Sequence, residues 1–399
     1  MKLAELRQRR LDTLGALASL IESHRASVVN ILARVESFVT ATDEVEETCR
    51  ALRTYASELG ALEGREPFGS VAVALPFNTP LYSLVIYSCG AALGGSDVRV
   101  RPSSINRQEL EDLFRLLSPL LNEAGIFLDN RSGSEFLAWV RKDPVVQSLI
   151  FTGSYPNLVK ISEEFPKGKR LVYCGSGMNP FVVGPRFSYD QAETDPVGLA
   201  IDSRLYDSGQ DCLCPDRFYV HESRFDGFMT ELVERVASVT CGAFGEANHR
   251  ITPLVPPVAA NARRLIDQAS TEGTAWHTSA ILDDLIGPHV YEVRRDSATL
   301  AGEKFAPIFT VARYESDHEL STALQSDYRL GLTYVGAVDV PELSLYPHVT
   351  RDQTVIEYAY ENAHAPFGGA GKSGFSRRGN VKREGPMLYS IETTTGNPA

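Results

Sequence analysis

The residues best suited to chemistry gather in one stretch, Tyr206-Asp207-Ser208-Gly209-Gln210-Asp211-Cys212-Leu213-Cys214-Pro215. A thiolate is a strong nucleophile toward a carbonyl carbon. Gly209 tolerates backbone angles that a side chain forbids, which sets Cys212 at a bend with backbone N–H groups close by. Such groups hold the oxyanion that forms when a carbonyl is attacked. The simpler reading of any one cysteine is a buried structural residue, since cysteine is among the most buried types, and Cys214 fits it. Cys212-Leu213-Cys214 lacks the further ligands a metal or redox pair needs. The eight histidines lie far apart with no His-x-x-x-His pair, so no metal is expected.

A bend that presents a thiol needs firm elements on both sides. A helix over Asp195–Leu205 (residues 190–205 at its widest) precedes it, and the apolar strand Phe218-Tyr219-Val220 follows. Upstream, residues 1–62 read as helices. Ser70–Leu75 reads as a buried strand, broken by Pro76-Phe77-Asn78-Thr79-Pro80. The pattern continues as helix Leu81–Leu93, strand Val98–Arg101, helix Asn106–Glu123 and strand Ile126–Leu128. A helix over Ser134–Arg141, strand Val145–Phe151, a helix through Ile161 and strand Lys169–Tyr173 follow. Strand, helix and parallel strand in alternation make a doubly wound sheet, which takes ligands at the carboxyl ends of its strands. A second alternation begins at Pro180, with strand 217–221, helices 223–238 and 257–270, strands near His289–Val293 and Ile308–Ala312, and helix 317–325. A strand-like tail, Leu388–Ile391, closes the chain.

The 399 residues are 43% apolar and 23% charged, which suits a globular chain of two or three domains. A formal net charge of −12 argues against a nucleic-acid surface. No run reaches the ~18 apolar residues of a membrane span. Six cysteines without a dense framework fit a reducing cytoplasm. Residues 366–374 end in Gly371-Lys372-Ser373, yet Pro366 stands where a phosphate-binding P-loop requires glycine.

Five further motifs fall in a telling order around the cysteine turn. They are Arg65-Glu66-Pro67-Phe68-Gly69 with Pro76-Phe77-Asn78-Thr79-Pro80, then Val98-Arg99-Val100-Arg101-Pro102-Ser103, Phe151-Thr152-Gly153-Ser154, Glu303-Lys304-Phe305-Ala306-Pro307 and Pro366–Gly374. Together they resemble the aldehyde dehydrogenase superfamily over residues 65–395. The resemblance implies an α/β fold of two doubly wound Rossmann-like domains. It assigns 1–173 to N-terminal helices and a cofactor domain, 174–355 to a catalytic domain, and 356–399 to a return to the cofactor domain with a C-terminal strand.

It also implies roles. Cys212 is the nucleophile, giving a thiohemiacetal and then a thioester as hydride leaves. Asn78 and the Cys212 N–H are the oxyanion donors. Pro76, Phe77, Arg101, Ser103, Ser104, Gly153 and Ser154 border the cofactor, NAD or NADP. Glu303 holds the nicotinamide ribose, and Phe305 packs beside it. Tyr82, Ser83, Ile86 and Phe367 line the substrate channel or are plain core, and Asp211 and Leu213 flank the nucleophile. Asp211 would repel an anionic aldehyde.

Three departures from the family pattern carry expectations. Cys174 stands where the general-base glutamate belongs, in Cys174-Gly175-Ser176-Gly177-Met178-Asn179-Pro180. Either the base is lost or another group, such as Asp211, replaces it. Loss would suit release of the acyl group to coenzyme A or a carrier thiol, or reduction of a thioester. Second, Arg101 replaces a lysine and Ser104 an acidic residue that pairs with ribose hydroxyls, which favours NADP over NAD. Third, only Glu58–Gly64 occupies the place of a β-hairpin that joins subunits in the family, so a homodimer is expected. A degenerate ligand-binding protein without redox activity is the remaining reading, and joint retention of Asn78, Cys212, Glu303 and Phe305 speaks against it.

Overall fold

The computed structural model describes residues 2–185, 194–362, 367–386 and 394–396. The chain gathers into two compact units, one of Met1–Val35, Thr40–Gly175 and Tyr360–Ala399, the other of Glu36–Val39 and Ser176–Ala359.

In the first unit the apolar runs form a seven-stranded sheet. Its parallel part runs, in spatial order, Ile126–Leu128, Val98–Arg101, Ser70–Ala74, Val146–Thr152 and Arg170–Cys174. In chain order this is 3-2-1-4-5, the dinucleotide-binding arrangement. The order reverses beside Ser70–Ala74, and sheets of this kind take ligands at such a point, here the carboxyl ends of Ser70–Ala74 and Val146–Thr152. Gly374–Arg378 then adds antiparallel to Arg170–Cys174, setting Gly374 opposite Cys174, and Val381–Arg383 extends the edge. The sequence reading placed its last strand at Leu388–Ile391, which lies outside the described residues, as does Pro366. It missed Gly374–Arg378 because Gly-Phe-Ser-Arg-Arg carries little apolar alternation.

The helix Pro80–Gly94 follows the first strand. It opens on proline, whose missing N–H is harmless there, and stops at Gly95 with φ of 111°. Its residues are buried apart from the half-buried Ile86, as a helix apolar on all sides must be. Its last carbonyls meet two buried arginines of helix Leu3–Ser23. Arg7 Nε donates to Gly94 O at 3.2 Å, and Arg10 Nη1 donates to Ala92 O at 2.8 Å. Cations suit a helix carboxyl end, where carbonyls lack helical partners. Residues Tyr55–Leu62 are a 3-10 segment in place of a hairpin, and Glu66–Pro67 pairs antiparallel with Thr395–Gly396.

The second unit holds another seven-stranded sheet, in the order His348–Arg351, Gly331–Val335, Asn179–Val183, Pro215–His221, Ile308–Tyr314, His289–Val293 and Gly273–His277. All neighbours are parallel except the last pair. Phe181, Phe218 and Phe309 pack as tilted rings across three adjacent strands, with ring centroids 5.5 and 5.3 Å apart. The helix before the cysteine turn is Pro196–Arg204, capped by Asp195, whose Oδ1 accepts from Gly198 N at 2.8 Å. Among the described residues no helix is long and apolar enough to cross a membrane.

Candidate active site

The second unit puts its chemistry at the amino ends of four neighbouring parallel strands. Asn179 and Gly331 open their own strands, Cys212 lies just before Pro215–His221, and Glu303 and Phe305 lie just before Ile308–Tyr314. The cysteine turn is strained into the left-handed region over Asp207, Ser208 and Gly209, with φ of 45°, 56° and 83°. Gly209 is needed for contact as well as angle. A Cβ there would sit 2.5 Å from the Ala306 carbonyl carbon, so at Gly209 the turn packs directly against Ala306. Phe305 is itself left-handed, at φ of 50°. Such strain persists only where the surroundings over-determine it, and it clusters at functional sites.

Those surroundings are polar side chains aimed at backbone. Asn179 Nδ2 donates to the carbonyls of Cys212 and Cys214 at 2.8 and 3.2 Å, and its Oδ1 accepts from Gly331 N at 3.0 Å. A Cβ on Gly177 would come within 2.3 Å of Cys212 O. Gln210 Oε1 accepts from Val255 N at 3.2 Å, and Ser208 Oγ accepts from Thr252 N at 3.0 Å. Asp211 Oδ1 accepts from Leu213 N at 2.7 Å, so this carboxylate builds the turn beside the thiol. Cys212 and Leu213 are half-buried, whereas Cys214 is buried and donates its S–H to Tyr206 O at 3.7 Å. Burial drives the Cys214 thiol far up, against the pull of Arg204, which leaves it inert.

Beneath the turn lies a buried charge cluster. Arg204, fully buried, donates through Nη1 to Pro215 O at 2.8 Å and Asp216 Oδ1 at 3.0 Å, and through Nη2 to Gly209 O. The same Asp216 Oδ1 accepts from Lys304 N at 2.7 Å. Burial raises the Glu303 carboxyl above the usual range. Asp216 adds to the rise, while a hydrogen bond to Ser176 and the charge of Arg204 oppose it. The Lys304 amine, fully buried, donates to Thr299 O and Gly302 O. Burial pushes it down to about 7, with Asp216 resisting.

That depression has a measurable consequence. An unfolded lysine titrates near ~10.4, so between pH 7 and about 10 the unfolded chain binds more protons than the folded one. Stability from this group therefore rises with pH across that window and is flat below it. The melting temperature of the parent should gain on that of Lys304→Met as pH goes from 7 to 10. A constant difference across that range would show that Lys304 titrates normally.

In the first unit the other candidates sit on the carboxyl side of the sheet. Pro76, Phe77 and Asn78 follow Ser70–Ala74, and Asn78 is buried. Asn106 Nδ2 donates to Phe77 O at 2.6 Å, and Ser83 Oγ donates to Asn78 O at 3.4 Å, which fixes this bend. Gly153 and Ser154 follow Val146–Thr152, and Ser154 is the N-cap of helix Tyr155–Glu163 without a side-chain capping bond. Arg101 ends Val98–Arg101 and Ser103 and Ser104 follow it, Ser104 exposed. The half-buried Arg101 side chain has no hydrogen-bond acceptor among the described residues, and its guanidinium lies beside Gly133, 3.3 Å from where a Cβ would be. Cys174 ends its strand, 2% exposed, and its carbonyl accepts from Gly153 N at 3.1 Å. Tyr82 packs edge-on against Tyr360 at 4.9 Å, and its N–H donates to the buried Glu44 at 2.8 Å. Ser83 is buried, and Ile86 and Phe367 are half-buried.

The sequence model of the aldehyde dehydrogenase family matches residues 4–390. The chain belongs to the aldehyde dehydrogenase family. It is 25% identical over 409 aligned positions to an aspartate-semialdehyde dehydrogenase (non-phosphorylating) of Halomonas elongata, covering 93% of this chain and 80% of the relative. A glutarate-semialdehyde dehydrogenase of Pseudomonas putida is 27% identical, over 79% of this chain and 67% of its own. Among solved structures, a succinic semialdehyde dehydrogenase from Streptococcus pyogenes with NADP+ as the cofactor superposes with a TM-score of 0.85 at 19% identity. The alignment covers 98% of this chain and 89% of that one. The two Rossmann-like domains expected of an aldehyde dehydrogenase are thus the fold this chain adopts.

Within this aldehyde dehydrogenase, sequence reasoning passed over Arg204, Asp216, Lys304 and Asn179. The signal present was weak. Asp216 interrupts the onset of a buried strand and Lys304 falls inside a family motif, yet neither names a partner 12 or 88 residues away.

Proposed function

We propose that this aldehyde dehydrogenase oxidises an aldehyde through covalent attachment to Cys212, with NADP as cofactor. The observation that carries the reading is the strained, polar-braced turn that carries Cys212 and packs its Gly209 against Ala306, next to Phe305 in the chain. Residues of the first unit fit the cofactor. The 3-2-1-4-5 sheet has its switch point beside Pro76–Asn78, Ser154 is the N-cap of a helix whose positive dipole end favours an anion, and Arg101 lacks an acceptor among the described residues. Arg101 would take the 2′-phosphate, Ser154 and its helix the pyrophosphate, and Glu303 the nicotinamide ribose. When bound, the cofactor supplies the hydride acceptor. The Cys212 thiolate adds to the carbonyl carbon while Asn78 and the Cys212 N–H donate to the oxyanion. Hydride leaves that carbon, and a thioester to Cys212 remains until water or a thiol releases the acyl group.

The relatives are named for acidic semialdehydes. Here Asp211 adjoins the nucleophile and disfavours a second carboxylate, so we place the substrate among neutral or cationic aldehydes. The deciding measurement is cofactor reduction over an aldehyde panel that includes acidic semialdehydes, with and without coenzyme A. No reduction with any aldehyde would sink the reading. Faster turnover with coenzyme A would support the acylating alternative, which Cys174 favours.

Arg101 yields a further expectation. A forked guanidinium suits a phosphate, so NADP+ should bind at least about tenfold more tightly than NAD+. Arg101→Ala should remove that margin while leaving NAD+ affinity nearly unchanged. Equal affinities in the parent would place the arginine elsewhere. Without a family-type hairpin at 55–62, the assembly we expect is a homodimer; light scattering that returned a tetramer at micromolar concentration would refute it.

A further inference from the structure

Two opposite charges buried beside the nucleophile turn form an arrangement that the proposed chemistry does not use directly. Arg204 ends the helix Pro196–Arg204, and Asp216 is the second residue of the strand Pro215–His221. Both are buried, at 0% and 3% exposure. A buried ion pair contributes little net stability compared with well-packed apolar groups, since both charges lose their water. Its partners therefore call for another account.

The pair bonds mostly to backbone, and to backbone of the two segments that carry chemistry. On one side, the Arg204 guanidinium donates to Gly209 O and, at 2.8 Å, to Pro215 O, the carbonyls that bracket Gln210–Cys214. On the other, Asp216 Oδ1 accepts from Lys304 N at 2.7 Å, the amide between Glu303 and Phe305. The 3.0 Å Arg204–Asp216 contact joins the two. Two further contacts fix the same spacing. Thr310 Oγ1 donates to Asp216 O at 3.1 Å, and Gly209 leaves space for the Ala306 carbonyl, with only 2.7 Å between its would-be Cβ and that oxygen. The path from the nucleophile turn to the Glu303 loop thus runs through one guanidinium and one carboxylate.

We propose that Arg204 and Asp216 are positioning residues that set the separation of the Cys212 turn from the Glu303 loop, and so of the acyl carbon from the hydride acceptor. The proposal rests on the reading of Cys212 as nucleophile and Glu303 as ribose holder. Neither residue touches substrate. They act through backbone, and misplacement of reacting groups by about 1 Å can lower a rate by roughly 10²-fold.

The test separates position from stability. Arg204→Met with Asp216→Leu replaces the pair by apolar groups of similar length, and Asp216→Asn keeps an oxygen for Lys304 N while removing the charge. Melting temperature, NADP+ affinity and single-turnover hydride transfer are measured for each, with Cys212→Ala beside them. The expected result is a folded protein with NADP+ affinity within about threefold of the parent and hydride transfer slower by roughly 30- to 100-fold. Asp216→Asn should show a smaller drop, of about fivefold or more, so the proposal stays open to refutation even where the double variant fails to fold. Hydride transfer within twofold of the parent in either folded variant overturns the positioning role. Parent-like turnover in Cys212→Ala overturns instead the underlying reading of the nucleophile.

Discussion

Cys212→Ala should lose aldehyde oxidation by about 10⁴-fold or more, the scale seen when a covalent nucleophile is removed, with melting temperature and NADP+ affinity close to the parent. Cys212 is half-buried, and its carbonyl, rather than its thiol, is what Asn179 holds. Removing Sγ therefore leaves the brace of the turn in place. Cys214→Ala is the matched control. That thiol is buried, is driven far up by burial, and bonds to Tyr206 O, so its loss should lower stability modestly and leave the rate per folded molecule intact. Steady-state rates with one aldehyde, corrected for folded fraction, distinguish the two. Parent-like turnover in Cys212→Ala would end the covalent mechanism.

The second large effect is expected at Cys174. By the family pattern this position carries the carboxylate that activates water to release the acid. A thiol with an ordinary pKa near ~8.5 is mostly protonated at neutral pH and is a poor base for water. General-base help is worth roughly 10²- to 10⁴-fold. Mixing enzyme, NADP+ and a reactive aldehyde should therefore give a burst of reduced cofactor followed by slow turnover. Coenzyme A or another small thiol should speed the slow phase. Cys174→Glu should speed release to water by up to about 10²-fold or more. Cys174 is 2% exposed and ends a strand paired on both sides, so the longer side chain has to point off the sheet end to act. Steady turnover in water with no burst, untouched by thiols, would instead make a surrogate such as Asp211 the base. Asp211 Oδ1 already accepts from Leu213 N.

Much of this was legible in the residues. The alternation of apolar runs located the five parallel strands of the first sheet to within a residue or two, because parallel strands covered on both faces read as short apolar blocks. Glycines signalled the tight places, and Gly209 meets both conditions, positive φ and contact with Ala306. What escaped was pairing across long separations. Nothing local in Gly374–Arg378 says that it lies against Arg170–Cys174. Nothing in Arg204, Asp216 or Lys304 alone says that they share one buried cluster. Nor did motif order reveal that the second unit gathers its chemistry at the amino ends of strands. That depends on which loops the sheet order brings side by side, a property of topology rather than of any window of residues.

The late strand has a consequence for how the molecule comes into being. Pairing Gly374 with Cys174 closes a loop of roughly 200 residues, and closure entropy grows with loop length, though slowly. On a ribosome, Ser176–Ala359 emerges as one nearly uninterrupted segment and can reach its fold while the first sheet still waits for an edge. Until Gly374 appears, Arg170–Cys174 offers a bare row of N–H and C=O groups, the kind of edge on which nascent chains associate wrongly. The strand that completes the sheet beside Cys174 is thus also the one that covers this open edge, and the time taken to synthesise the chain up to it sets how long the edge stays bare.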